Sequence, residues 1–201
     1  MKRSKNSSDA DSSATSKKKP SYGGVWQNVL LKSMKDPKLK VSETDAICVI
    51  KDAFPKAKHH FLIISKDEQL NGLRDLSQEH IGLVEEMLKL AQQLAETHGE
   101  GEMAFQFGFH SIPSLRRLHM HVISRDFQSD CLKTKKHWNS FTTDFFIPCS
   151  DVLEQLGSDG AVTIPDNAVD KLKEPLKCHR CEKQLKTIPS LKEHIASCKQ
   201  Q

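Results

Sequence analysis

Arg117-Leu118-His119-Met120-His121-Val122-Ile123 is the stretch from which the fold is read. Its alternation of apolar and polar residues predicts a strand, whose side chains point to opposite faces with period two. Leu118, Met120 and Val122 then face a core, and Arg117, His119 and His121 share the other face. Two imidazoles and a guanidinium are poor core material, because buried polar groups need partners. They suit the floor of a phosphate pocket. An imidazole can attack phosphorus, and its neighbours can stabilise charge on the phosphoryl oxygens. A metal centre needs a third ligand that this pair does not supply. A surface strand with incidental histidines is the plain alternative.

Further polar groups flank the strand. His110, Ser111 and Ser114 lie in a loop that Pro113 stiffens. Asp52, Lys56, Lys58 and His60 precede or open a second apolar run, Phe61 to Ile64. Ala46 to Ile50 predicts another strand, with Asp52 to Pro55 as the turn between the two. Val25, Trp26, Val29, Leu30 and Met34 have helical spacing that ends near Asp36-Pro37. Ser77 caps a long helix with Ile81, Val84, Leu88 and Ala91 on its apolar face, and Gly99 stops it. Ala104 to Phe109 and Leu118 to Ile123 complete the strands. Short strands with two helices predict an α+β fold with a mostly antiparallel sheet and flanking helices.

The 201 residues accommodate one domain and a small module. No apolar run reaches the roughly 18 residues of a membrane span, so no membrane partner is expected. Residues 1–22 are Ser/Lys-rich and read as a disordered basic tail, with Lys17-Lys18-Lys19 as a candidate nuclear address. Without an apolar leader the chain is placed in a reducing compartment, where six cysteines suggest thiols or metal ligands. Arg116 to His137 holds six basic and two acidic residues, and Lys171 to Gln201 eight and three; such basic segments suit a polyanion. The divisions read as residues 23–150 for the main domain, 151–174 for a linker with a short helix around Val152 to Leu156, and 175–201 for the module.

That module carries Cys178-x2-Cys181-x12-His194-x3-Cys198, the ligand spacing of a ββα-like zinc finger with Cys in the last place. One structural zinc ion is expected. Ser190-Leu191-Lys192-Glu193 reads as a capping box that starts a helix, putting His194 and Cys198 on one face. Leu185 and Leu191 supply a small core that the metal assists. A single finger surrounded by lysines suits backbone contact, so sequence-independent binding to double-stranded DNA is expected.

The segment Asp52 to Ile64, followed by His119-x-His121-Val122-Ile123, resembles the histidine-triad nucleotide hydrolases and transferases. Phe107 to Ser114, Leu118 to Phe127 and Cys131 to Phe141 narrow the resemblance to the DNA-adenylate hydrolases of that superfamily. The resemblance implies removal of AMP from adenylated DNA 5′-phosphates, the products of abortive ligation, at nicks and single-strand breaks in the nucleus. It implies His119 as nucleophile and a covalent AMP–histidine intermediate, with His121 and Ser114 on phosphoryl oxygens. His110 becomes a general acid or charge stabiliser, His60 a pocket residue, and Asp52 the ribose ligand. Lys56, Lys58, Arg117 and Lys136 become DNA contacts, and Trp26 either a wedge at the DNA end or core. No metal is expected in the chemistry. DNA–RNA junctions and 3′-guanylate caps are further substrates the resemblance implies. The family pattern is His-x-His-x-His, and Arg117 stands where its first histidine is expected. The competing expectations are a hydrolase of nucleoside phosphoramidates or dinucleoside polyphosphates, and a non-catalytic DNA-end-binding protein.

Overall fold

The computed structural model describes residues 29–101 and 103–198. Along the chain these form α1 (Val29–Lys35), β1 (Lys40–Glu43), β2 (Ile47–Lys51), β3 (His60–Ser65), α2 (Ile81–His98), β4 (Phe105–His110) and β5 (His119–Ser124), then α3 (Lys135–Thr142), β6 (Phe146–Pro148), α4 (Cys149–Asp159), α5 (Ala168–Lys171) and α6 (Ile188–Ser197). The basic tail and Trp26 lie outside the described residues.

The six strands form one sheet in the order β1-β2-β3-β5-β4-β6, with every neighbouring pair antiparallel. β5 is central, and all six of its residues are buried. Alternation sorts the side chains as the sequence predicts. Val49, Phe61, Ile63, Met120 and Val122 pack with Val84 and Met87 of α2 and with Val152 and Leu156 of α4. The opposite face carries His60, Leu62, His119, His121 and His110 on adjacent strands; Leu30 of α1 packs over its Ile50–Leu62 side. Gly108 lies where β4 meets both β5 and β6. A Cβ there would sit 2.3 Å from the Ile147 carbonyl oxygen, so only glycine lets the strands approach.

The helix capped by Ser77 begins with a 3-10 turn over Gln78–His80 and then runs as α2 to Gly99, whose N–H reaches the Ala95 carbonyl. Four elements lie beyond the sequence reading: β1, whose four residues are all on the exposed side and show no alternation; the three-residue β6; α3; and the four-residue α5. The expected linker 151–174 is largely part of the domain. α4 covers the sheet, Gly160 ends it at φ 70°, and Val162, Ile164 and Ala168 continue into the core. Apolar residues spaced among glycines and acids hid that role.

The finger is seated on the domain. Leu176, Leu191 and Ile195 share one apolar cluster with Phe127, Trp138 and Phe146. Trp138 forms this seat: its indole N–H donates to the Lys177 carbonyl at 2.9 Å, and its ring meets Phe127 and His179 edge-on. α6 starts at Ile188, not at Ser190, because Thr187 is the cap and Pro189 fits the first turn. Lys177 and Gln184 form an antiparallel bridge, the remnant of the ββ hairpin.

Candidate active site

A cavity of about 710 Å³ opens on the histidine face of the sheet, walled by α1 and α3. His119, His121, His110 and His60 line its floor, and Asp52, Lys56, Ser114 and Lys136 also line the cavity. Strand register brings them together: His121 stands opposite Leu62 on β3 and Gly108 on β4, which flanks it with His60 and His110. The His110 and His121 ring centroids are 4.2 Å apart, those of His119 and His121 5.1 Å.

Hydrogen bonds fix the tautomers of this floor. The Lys56 backbone N–H donates to His60 Nδ1 at 3.2 Å. His60 therefore carries its proton on Nε2, which faces His121 Nδ1 at 3.0 Å. His121 is left with its proton on Nε2, buried and without a partner among the described residues. His110 Nε2 is also buried and unpartnered. Polar atoms so placed await an acceptor or donor from a ligand. His119 is oriented the other way. Its Nδ1 donates to the Arg117 carbonyl at 2.8 Å, leaving the Nε2 lone pair as the nucleophilic atom.

Burial holds all four imidazoles below the usual histidine range. His60 falls to about 4, opposed by Asp52. His119 is lowered by burial, opposed by its bond to the Arg117 carbonyl. His110 and His121 fall well below their ordinary value through burial, reinforced by repulsion from the other imidazoles. At neutral pH the floor is an array of uncharged donors and one uncharged nucleophile.

Not every expected residue reaches the cavity. Arg117 is not in the strand: its φ of 82° breaks the alternation, and its guanidinium turns to the Lys66 carbonyl at 3.1 Å and Glu68 at 2.5 Å. Its backbone carbonyl, not its side chain, serves the site. Lys58 pairs with Glu100 at 2.7 Å, outside the cavity lining. The sequence reading missed Lys133, His137 and Phe141 in the lining, and the apolar end made by Leu30, Ile50 and Leu62. The basic run before Trp138 was the signal for the first two; only tertiary packing reveals the others.

The second centre is in the finger. The donor atoms of Cys178, Cys181, His194 and Cys198 all lie within 4.8 Å of one another. Cys178 and Cys198 Sγ are 3.8 Å apart, the edge of about 3.8 Å that a tetrahedron with 2.3 Å zinc–sulfur bonds requires. Cys181 Sγ lies 3.3 Å from His194 Nε2. This donor set fits structural zinc. Asp52, His60 and His121 also bring ligand-type atoms together, but His60 Nε2 and His121 Nδ1 are engaged with each other.

Comparison with known proteins finds a family model over each of the two centres. The family model described as "Scavenger mRNA decapping enzyme C-term binding" matches residues 26–137, more than half of the chain. That of the "C2HE / C2H2 / C2HC zinc-binding finger" matches residues 142–201. The chain belongs to the first of these families, a histidine-triad domain, and carries a zinc-binding finger behind it. Within that class it is a homologue of the aprataxins. It is 45% identical to aprataxin of Ciona intestinalis, covering 96% of this chain and 51% of the relative. It is 44% identical to aprataxin of Gallus gallus, covering 97% and 61%. The chain thus spans between half and two thirds of these relatives. Its structure resembles that of "aprataxin ortholog Hnt3 in complex with DNA", with TM-score 0.69 and 25% identity over 84% of this chain and 90% of the other.

Proposed function

We propose that the chain is a DNA-repair hydrolase that removes AMP from adenylated DNA 5′-phosphates. The observation that carries this reading is the tautomer pattern: a lone pair on His119 Nε2 beside the unpartnered His121 Nε2–H, in a cavity with an apolar end and a lysine rim. Adenine occupies the slot of Leu30, Ile50 and Leu62, and Asp52 takes the ribose hydroxyls. His119 Nε2 attacks the AMP phosphorus in line, and the anhydride bond to the DNA 5′-phosphate breaks. His121 Nε2–H and the Ser114 hydroxyl hold the phosphoryl oxygens. His110 supplies a proton or a hydrogen bond to the departing phosphate. Water then cleaves the phosphorus–nitrogen bond, releasing AMP and restoring His119. No step draws on a metal. Zinc held by Cys178, Cys181, His194 and Cys198 supplies folding energy to the finger. Lys56, Lys133, Lys136 and the finger lysines bind the DNA backbone without regard to sequence.

The relatives named aprataxin and the DNA complex of the Hnt3 ortholog support a DNA substrate. DNA–RNA junctions and 3′-guanylate caps present the same phosphoanhydride and belong to the same proposal, as does a nuclear site of action. Substitution of the first triad histidine by Arg117 does not argue for lost chemistry, since the backbone carbonyl of Arg117 holds His119 Nδ1 at 2.8 Å.

The test is a nicked duplex carrying a 5′-adenylate. Wild type releases AMP and leaves a 5′-phosphate; His119→Ala does not. Release by both proteins, or by neither, refutes the proposal. Turnover of adenosine 5′-phosphoramidate without action on the nick would select the small-nucleotide hydrolase.

A further inference from the structure

Ser129 lies in the loop between β5 and α3, outside the cavity lining. Its Oγ accepts the Cys131 N–H at 3.1 Å, and its single proton goes to the Pro55 carbonyl at 2.5 Å. That carbonyl and the Lys56 N–H are two ends of one peptide group. A trans peptide is planar, so fixing its C=O fixes the direction of its N–H. The Lys56 N–H is the donor that sets the His60 tautomer, and His60 in turn sets that of His121. From the other side, Lys192 Nζ of α6 donates at 2.6 Å to the Ser129 carbonyl, which also accepts the Leu132 N–H. Hydrogen bonds, linked through the covalent frame of Ser129, one peptide plane and the His60 ring, therefore join the finger helix to the floor of the pocket. Such chains polarise and align their members.

We infer that Ser129 is a positioning residue of the phosphoryl site. It clamps the Pro55–Lys56 peptide so that His121 presents its Nε2–H to the cavity, and the finger braces this clamp through Lys192. The finger thus contributes to the chemical step as well as to DNA binding. The inference rests on the function proposed above for its catalytic readout.

The test uses the full zinc-loaded chain and a small AMP ester that makes no DNA contact. Ser129→Ala is expected to lower kcat about tenfold or more with KM nearly unchanged, the signature of a misplaced group. Ser129→Thr keeps the hydroxyl and restores the rate. Lys192→Met, on the finger helix, gives a smaller loss in the same direction. Imidazole 15N spectra of the free proteins provide a readout independent of activity: His121 is the Nε2–H tautomer in wild type and a mixture in Ser129→Ala. Unchanged tautomers and kcat in Ser129→Ala overturn the inference, as does a Thr variant as impaired as the Ala variant. If wild type hydrolyses no adenylate, the functional proposal fails while the spectra still decide the clamp.

Discussion

Arg117→Ala separates two roles that the sequence left together. The guanidinium bonds to the Lys66 carbonyl and pairs with Glu68. Glu68 is 85% exposed, so the ion pair contributes at most about 1 kcal/mol. The charged bond to the carbonyl adds about 1.5–3 kcal/mol. These contacts hold a residue at φ 82°, a left-handed conformation that costs a non-glycine residue about 1–3 kcal/mol. Without them the backbone relaxes, and the Arg117 carbonyl drifts from His119 Nδ1. Loss of that bond, worth about 1 kcal/mol, lowers kcat on the adenylated nick about five- to tenfold. Arg117→Gly tolerates the left-handed backbone but lacks the anchor, so it falls between Ala and wild type. DNA affinity and its salt dependence stay as in wild type, because the guanidinium lies off the cavity. The assay is single-turnover AMP release beside Kd measured against salt. A salt slope shallower by about one with kcat unchanged would show that Arg117 contacts a phosphate, and the anchoring argument would fail.

Trp138→Ala empties the seat of the finger. The side chain is fully buried, and its loss costs about 3–5 kcal/mol in chemical denaturation; a change under about 1 kcal/mol would mean the finger does not dock there. Gly108→Ala forces a Cβ against the Ile147 carbonyl and the Phe146 ring, and is expected to lower Tm sharply and part β6 from β4; a wild-type melting curve would contradict that packing. The four imidazoles have folded pKa values below the unfolded value of about 6.5, so the unfolded chain binds more protons. Their contribution to stability is complete above that pH and is lost as pH falls toward about 4, where His60 titrates. Tm should decline from pH 7 to pH 5, and less steeply in His110→Asn; a flat profile would mean the histidines are solvated. Chelation should release a single zinc ion and expose the thiols of Cys178, Cys181 and Cys198 to modification, and a metal content near zero in the purified chain would refute the finger assignment.

The central strand and the finger ligands were legible because each rests on a short period. Alternation places His119 and His121 on one face whatever the surroundings, and the Cys–His spacing needs only local turns. Asp52, His60 and His110 were legible by their closeness to strand ends. Arg117 was misread because alternation cannot show where a strand begins: one left-handed residue turns its side chain away. Residues 151–174 were misread because a helix among glycines and acids declares its buried face only when the sheet is present. The apolar slot of Leu30, Ile50 and Leu62 comes from three elements, and no single window of sequence contains it.

The electrostatics of the site divide the labour between floor and rim. Four neutral imidazoles give the floor no charge with which to attract a polyanion, and their mutual repulsion would oppose charging them together. Neutrality is what the chemistry needs, since a protonated His119 has no lone pair to give. Attraction must then come from the lysines that line the cavity, Lys56, Lys133 and Lys136. Under the proposed function, a phosphoryl group drawn in by the rim meets the His121 Nε2–H already aimed, so little reorganisation remains at the moment of reaction. His119, whose Nδ1 proton is held by the Arg117 carbonyl, points its Nε2 lone pair away from that bond, and burial keeps the ring uncharged.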